Sequence, residues 1–214
     1  MWPKFLGQKA AAAAADSERW LVLDVESSGL DASNDRLLAL AAVAVRHDGR
    51  RAWIDLADSF ETVLQQPADA GPPDKSNILV HGIGVAAQGR GIDPAAALGR
   101  FEAFVGEAPL LGFHVEFDRR LIDRATRGLL GRKLRGPWLD IADVAAVLRP
   151  VRGERTLDDW LAACGIDCAQ RHQAAADTLA TAELLLHLWP EARAEGVADF
   201  RGLSRLAARR RWLS

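Results

Sequence analysis

Over the first third of the chain, apolar residues come in short runs or loose alternation, and turn formers close each run. Trp20-Leu21-Val22-Leu23 leads into Asp24-Val25-Glu26 and stops at Ser27-Ser28-Gly29, the pattern of a buried strand that ends in a turn. Leu37 to Val45 is almost wholly apolar, as expected of a central strand covered on both faces. His47-Asp48-Gly49-Arg50 is a hairpin signal, and Trp53 to Val63 alternates loosely as a third strand. Pro67 to Lys75, which holds Gly71-Pro72-Pro73, reads as loop.

Farther along, helical patterns take over. Asp93 and Pro94 suit an N-cap and a first helical position, and Ala95 to Val105 then carries Leu98, Phe101, Phe104 and Val105 on one face. Pro109 to Phe113 is a short strand, followed by His114 to Asp118 and a helix to about Leu130. After a basic loop, Gly131 to Gly136, comes a fifth strand at Pro137 to Leu139. Helices are expected at Ile141 to Leu148, behind the Thr156/Asp159 capping box to Cys164, and from about Gln173 to Leu188. Three strands followed by alternating helices and strands predict an α/β fold with a mixed five-stranded sheet flanked by helices on both faces. The expected organisation is a lead-in segment at 1–18, one domain at 19–190, and a basic helical tail at 191–214 packed on the domain or extending from it.

Composition narrows the partners. The chain has 214 residues, 49% hydrophobic and 26% charged, which suits one ordinary globular core. A formal net charge of -2 gives no overall pull toward nucleic acid, so such binding calls for local basic patches. Candidates are Arg132, Lys133 and Arg135; Arg149, Arg152 and Arg155; and Arg201, Arg205 and Arg209 along one helical face beside Arg210 and Arg211. Each reads equally well as a solvated face. Cys164 and Cys168 lack a second pair and make a poor zinc set, so free thiols in a reducing cytoplasm are expected. No apolar run is long enough for a membrane span, and Gln8 and Lys9 interrupt any signal-peptide core.

The candidate chemistry lies in the acids. On a strand, Asp24 and Glu26 share one face. Side by side they repel each other and lose solvation unless a cation sits between them, and their hard oxygens suit Mg²⁺ or Mn²⁺. The same stretch also reads as a strand that ends in solvated acids. Asp118 starts a helix, where an acid is favoured by the dipole with or without a further role. Asp177 follows Ala174-Ala175-Ala176, which leaves room for something to approach or simply forms a surface helix. His172 lies five residues earlier, about 140° away on a continuous helix, so it is expected on the entering loop, leaning over the site.

In chain order, Asp24-x-Glu26, Phe117-Asp118 and His172-x-Ala174-x-x-Asp177 resemble the three motifs of the DEDDh (DnaQ-like) 3′→5′ exonucleases. Ser27-Ser28-Gly29-Leu30, His81-Gly82-Ile83, Leu139-Asp140 and Thr181-Ala182 extend the likeness over roughly Arg19 to Trp189. Ser27 and Ser28 stand where the family usually has threonines, His114 stands where it usually has asparagine, and Glu116 is an extra acid.

The resemblance implies an RNase H-like fold in which Asp24, Glu26, Asp118 and Asp177 hold two divalent ions, Mg²⁺ or Mn²⁺. Asp24 would bridge both ions, Glu26 and Asp177 would hold the one that activates water, and Asp118 would act mainly through the second. His172 would be the general base. The backbone of Ser27, Ser28, Gly29 and Leu30 would receive the 3′-terminal nucleotide, with Leu30 against its base and Phe113 stacking. His81 would wall the pocket or pin a loop, and Asp140 would cap a helix. The implied substrate is the 3′ end of single-stranded DNA. RNA trimming, a non-catalytic nucleic-acid-binding subunit and association with a DNA polymerase stand as alternatives, and the oligomeric state is left open.

Overall fold

The computed structural model describes residues 18–67, 75–150, 153 and 155–212. The expected lead-in over 1–17, most of the loop after Pro67, and Arg152 lie outside the described residues.

Five strands form one sheet: β1 (Glu18–Ser27), β2 (Leu37–His47), β3 (Ala52–Val63), β4 (Leu110–Gly112) and β5 (Trp138–Asp140). Their order is β3-β2-β1-β4-β5, antiparallel from β3 to β1 and parallel from β1 to β5, which is the mixed sheet expected. Among the described residues eight α-helices follow: α1 (Lys75–His81), α2 (Val85–Gly89), α3 (Pro94–Val105), α4 (Glu116–Leu130), α5 (Ile141–Leu148), α6 (Leu157–Cys164), α7 (Ala174–Ala194) and α8 (Phe200–Ala207).

The period of β1 sorts its side chains between two cores. Leu21, Leu23 and Val25 pack with Leu98 and Phe101 of α3 and Leu121 and Ile122 of α4. Trp20 and Val22 pack on the opposite face with Val144 of α5, Trp160 of α6, Leu184 and Leu188 of α7 and Leu203 of α8. Asp24 and Glu26 continue the second series, so the strand delivers both acids to the face that α7 covers.

One helix runs past its expected end. The helix expected to stop near Leu188 continues through Pro190 to Ala194. A proline inside a helix removes one hydrogen bond and costs about 3 kcal/mol in isolation. Here Trp189 and Ala192 on either side are buried in the core, and their burial offsets that cost. The tail is likewise part of the packing: Asp199 caps α8 through the Gly202 N–H at 2.7 Å, and Leu203 and Leu206 are buried.

Candidate active site

Asp24 and Glu26 pair across the sheet with Ala41 and Ala39 of β2, short neighbours that leave room above the strand. The register slips immediately after Glu26 and ends the regular ladder there. Opposite, α7 starts at Ala174 with no side-chain cap from Gln173. The side chain of Asp177 turns back instead, and its Oδ2 accepts the His172 N–H at 2.9 Å. Buried Thr178 donates its hydroxyl to the Ala41 carbonyl at 3.3 Å, fixing this first turn to β2. As a result, one carboxylate oxygen from each of Asp24, Glu26 and Asp177 lies within 4.8 Å of the other two. Asp118, in the first turn of α4, is buried, and its Oδ1 accepts the Val25 N–H at 3.1 Å. It stands beside this trio and acts on it through its charge.

Burial first, then Asp118, Glu26 and Asp177 in turn, push the Asp24 carboxyl well above the usual range, against the pull of Arg171. Burial and then Asp177 and Asp118 raise Glu26 to about 8, again opposed by Arg171. Asp118 is pushed up to about 8, chiefly by burial, although backbone N–H bonds work the other way. Anions crowded in this way need a cation to stay ionised together. Three carboxylates converging on one point form a donor set that fits a hard divalent ion.

A pH dependence follows. For Glu26 and Asp118 the folded state holds its proton to about 8, above the ordinary 4.5 and 3.8, so folding binds protons in that window. Stability is fully present below the unfolded values and is lost as pH rises through the folded ones. His47 and His81 are held below their ordinary 6.5 by burial, so they raise stability as pH increases and oppose the fall rather than cause it. In excess chelator the melting temperature is expected to fall on the order of 5 °C between pH 6.5 and 8.5. A flat or rising thermal profile would refute this assignment.

The acids open into a cleft of about 500 Å³, whose walls include Leu30, Phe113, His114, Arg155, Arg171 and His172. His172 is exposed and has φ 61°, a left-handed conformation that turns it out of the helix start. His114 also has positive φ, at 53°, and its N–H donates to Asp140 Oδ1 at 3.0 Å. The same Asp140 oxygen caps α5 through the Ala142 N–H at 2.9 Å. Asparagine and histidine both enter this backbone region more readily than most residues. The replacement at position 114 therefore preserves the backbone requirement. Phe113 lines the cleft with its ring 4.5 Å from that of His114, nearly edge-on.

At the mouth of the cleft, Ser27, Ser28 and Gly29 build a loop whose polar side chains are already engaged. Ser27 Oγ donates to the Gly29 carbonyl at 2.5 Å, and Ser28 Oγ donates to Asp35 Oδ1 at 2.9 Å. Asp35 Oδ2 accepts the Asp31 N–H at 2.8 Å, and a Cβ on residue 29 would meet that oxygen at 2.5 Å. A larger residue there would push the aspartate away from its bonds to Ser28 and Asp31. Leu30 projects from this loop, 95% exposed, at the edge of the cleft. His81 does not line the cleft: it is buried, and its Nδ1 accepts the Ile83 N–H at 2.9 Å, pinning its own loop.

Several contributors were not visible in the sequence. Arg171 bridges Asp177 and Asp158 of α6 and supplies a guanidinium to the acid cluster. It adjoins His172 in the chain, but nothing local indicates that it folds back between two acids. Asp35 organises the mouth loop, and Asn77 of α1 donates to the Ser27 carbonyl at 2.7 Å. Several arginines of the expected basic patches form ion pairs. Arg132 pairs with Glu102, Arg135 with Glu107, Arg149 with Glu191 and Arg209 with Glu195. Arg155 lies over Trp160 at 5.1 Å and faces the cleft.

Comparison with known proteins gives a consistent result. A family model described as Exonuclease, the RNase T type, matches residues 21–185. A DNA polymerase III subunit epsilon-like protein of Rhodobacter capsulatus is 30% identical over 188 residues, covering 86% of this chain and 26% of that protein. The PolC-type DNA polymerase III of Bacillus subtilis is 27% identical over 193 residues, covering 90% of this chain and 13% of the polymerase. The chain thus spans about a quarter or less of these relatives. Escherichia coli exonuclease I in complex with a dT13 oligonucleotide superposes with a TM-score of 0.68 at 21% identity, covering 84% of this chain and 42% of that one. The shared architecture is the RNase H-like fold.

Proposed function

We propose, since this chain belongs to the RNase T exonuclease family, that it is a divalent-metal-dependent 3′→5′ exonuclease acting on single-stranded DNA ends. The observation that supports this best is the meeting of Asp24, Glu26 and Asp177 beneath His172, whose backbone is fixed to one of the three acids. Asp24, Glu26 and Asp177 would hold the metal, with Asp118 completing the anionic surround. Two divalent ions held there, Mg²⁺ or Mn²⁺, would supply stabilisation of the charge on the attacking and leaving oxygens of a phosphodiester. His172, exposed on the cleft wall, would take a proton from the attacking water. Leu30 and Phe113 receive the terminal base, and Arg155 offers its charge to the phosphate.

The relatives from polymerase III support DNA as the substrate class, and an association with a polymerase belongs to the same reading. The test uses DNA and RNA strands of matched sequence, labelled at the 5′ end, with Mg²⁺ or Mn²⁺. Stepwise shortening from the 3′ end, faster on DNA and blocked by a 3′-phosphate, is the expected result. Cutting of a circular strand, or release from the 5′ end, would overturn the proposal. Faster shortening of RNA would retain the chemistry and change the substrate.

A further inference from the structure

The catalytic cleft has a broad exit. Leu30 lines the cleft and also borders a hollow of about 400 Å³ together with Ser33, Glu116 and Arg120. Those three residues in turn border a groove of about 540 Å³ along α4. Exposed Leu30 is therefore the sill between the acids and this groove. The way past His114 and Arg155 toward Asp143 is narrower, a pocket of about 110 Å³.

The groove is strongly cationic. Arg119, Arg120, Arg124, Arg127 and Lys133 line it against the carboxylates of Glu116 and Asp123. Five cations facing two acids leave a local charge of +3 on a chain whose net charge is -2. Positions 116, 120, 124 and 127 recur at helical spacing, so α4 presents much of this charge along one face. Each acid is shared: Glu116 lies 2.9 Å from Arg120 and 3.5 Å from Arg119, and Asp123 lies 2.8 Å from Lys133 and 3.7 Å from Arg127. One acid cannot neutralise two cations, and exposed ion pairs of this kind are weak. The Arg120 and Arg127 side chains are 69% and 57% exposed, within reach of another anion. Arg124 instead donates to the Asp35 carbonyl and supports the mouth loop.

We propose that α4 carries the strand that leads away from the terminal nucleotide. Arg119, Arg120, Arg127 and Lys133 bind successive phosphates of single-stranded nucleic acid without regard to base sequence. The inference rests on the exonuclease reading, because continuity with the cleft is what gives the groove its occupant. The helix is roughly 22 Å long by its 1.5 Å rise, enough for several nucleotides. Affinity should therefore grow with strand length beyond the dinucleotide.

The test compares wild type with Arg119→Gln/Arg120→Gln/Arg127→Gln, which keeps Lys133 as the partner of buried Asp123. Binding of a 5′-fluorescein dodecathymidylate is followed by anisotropy over a salt series, with Ca²⁺ in place of Mg²⁺. Hydrolysis of a thymidine dinucleotide is measured separately with Mg²⁺. Each lost phosphate contact lowers the salt slope by about 0.7 for single strands, so three lower it by about 2. Dodecamer affinity at low salt should fall on the order of 10- to 100-fold, while dinucleotide turnover stays within about twofold of wild type. An unchanged slope and affinity would overturn the groove, as would an equal loss on the dinucleotide. A wild-type protein that binds the dodecamer through these arginines yet hydrolyses neither substrate would sink the exonuclease reading and leave the groove standing.

Discussion

Asp24→Asn is expected to reduce hydrolysis to background while making the metal-free protein more stable. Asp24 sits between Glu26, Asp177 and Asp118, and its own carboxyl is raised by burial and by all three. Loss of this carboxylate removes a ligand from the converging set. Charge stabilisation by bound metal is worth several kcal/mol, so turnover should drop at least about 10³-fold. Without metal, however, the same carboxyl must either take up a proton or stay ionised beside three other acids with only Arg171 opposing them, and the amide removes that cost at nearly constant volume. In chelator at pH 8, Asp24→Asn should therefore melt higher than wild type. Adding Mn²⁺ at about a hundred times its dissociation constant stabilises a folded state by about 2.7 kcal/mol. For a chain of this size that is roughly 5–10 °C, and the variant should show little of it. Wild-type activity that survives excess chelator, or a variant that melts lower than wild type without metal, would contradict this account of the site.

The parts of this site that could be read from the sequence are those written in a single element. Asp24 and Glu26 reach one face because a strand alternates, and they follow Trp20 and Val22 on it. Asp177 could be singled out by its three preceding alanines and its place in the His172-x-Ala174-x-x-Asp177 motif, and Asp140 because an acid before an apolar helix is a cap. What could not be read depends on pairs distant in the chain. Asp118 bonds Val25 from 93 residues away, and Arg124 reaches the Asp35 carbonyl from 89 residues away. No sequence pattern marks Arg171, and only the convergence of α6 with the start of α7 makes it the counter-ion of Asp158 and Asp177. The extension of α7 through Pro190 was hidden for a related reason. Local propensity ends a helix at proline, and only burial of Trp189 and Ala192 overrides it.

Substitution of His172 should lower turnover by about 10² to 10⁴, the usual size of a general acid–base contribution, while metal binding is preserved. The residue does two separable things. Its backbone N–H donates to Asp177 Oδ2 at 2.9 Å, which orients a metal-binding acid, and its exposed ring faces the cleft. Any replacement other than proline can retain the first; only a proton acceptor supplies the second. The backbone constrains the choice of variant, because φ is 61° at this position. Alanine tolerates that region poorly, and left-handed strain costs about 1–3 kcal/mol. Asparagine enters it readily, so His172→Asn isolates the ring from the backbone. With Mn²⁺ followed by the shift in melting temperature, His172→Asn should bind metal as wild type does. Its turnover should fall, and the pH dependence that a general base lends to the wild-type rate should flatten. Metal-bound water contributes a pH dependence of its own, so only the difference between the two profiles reports on the histidine. A ring that serves packing alone predicts the opposite pattern: a change in melting temperature, a rate per folded molecule near wild type, and a pH profile that does not move. Turnover, melting temperature and pH profile measured on the same preparation decide between these, and a near-wild-type rate would remove His172 from the chemistry.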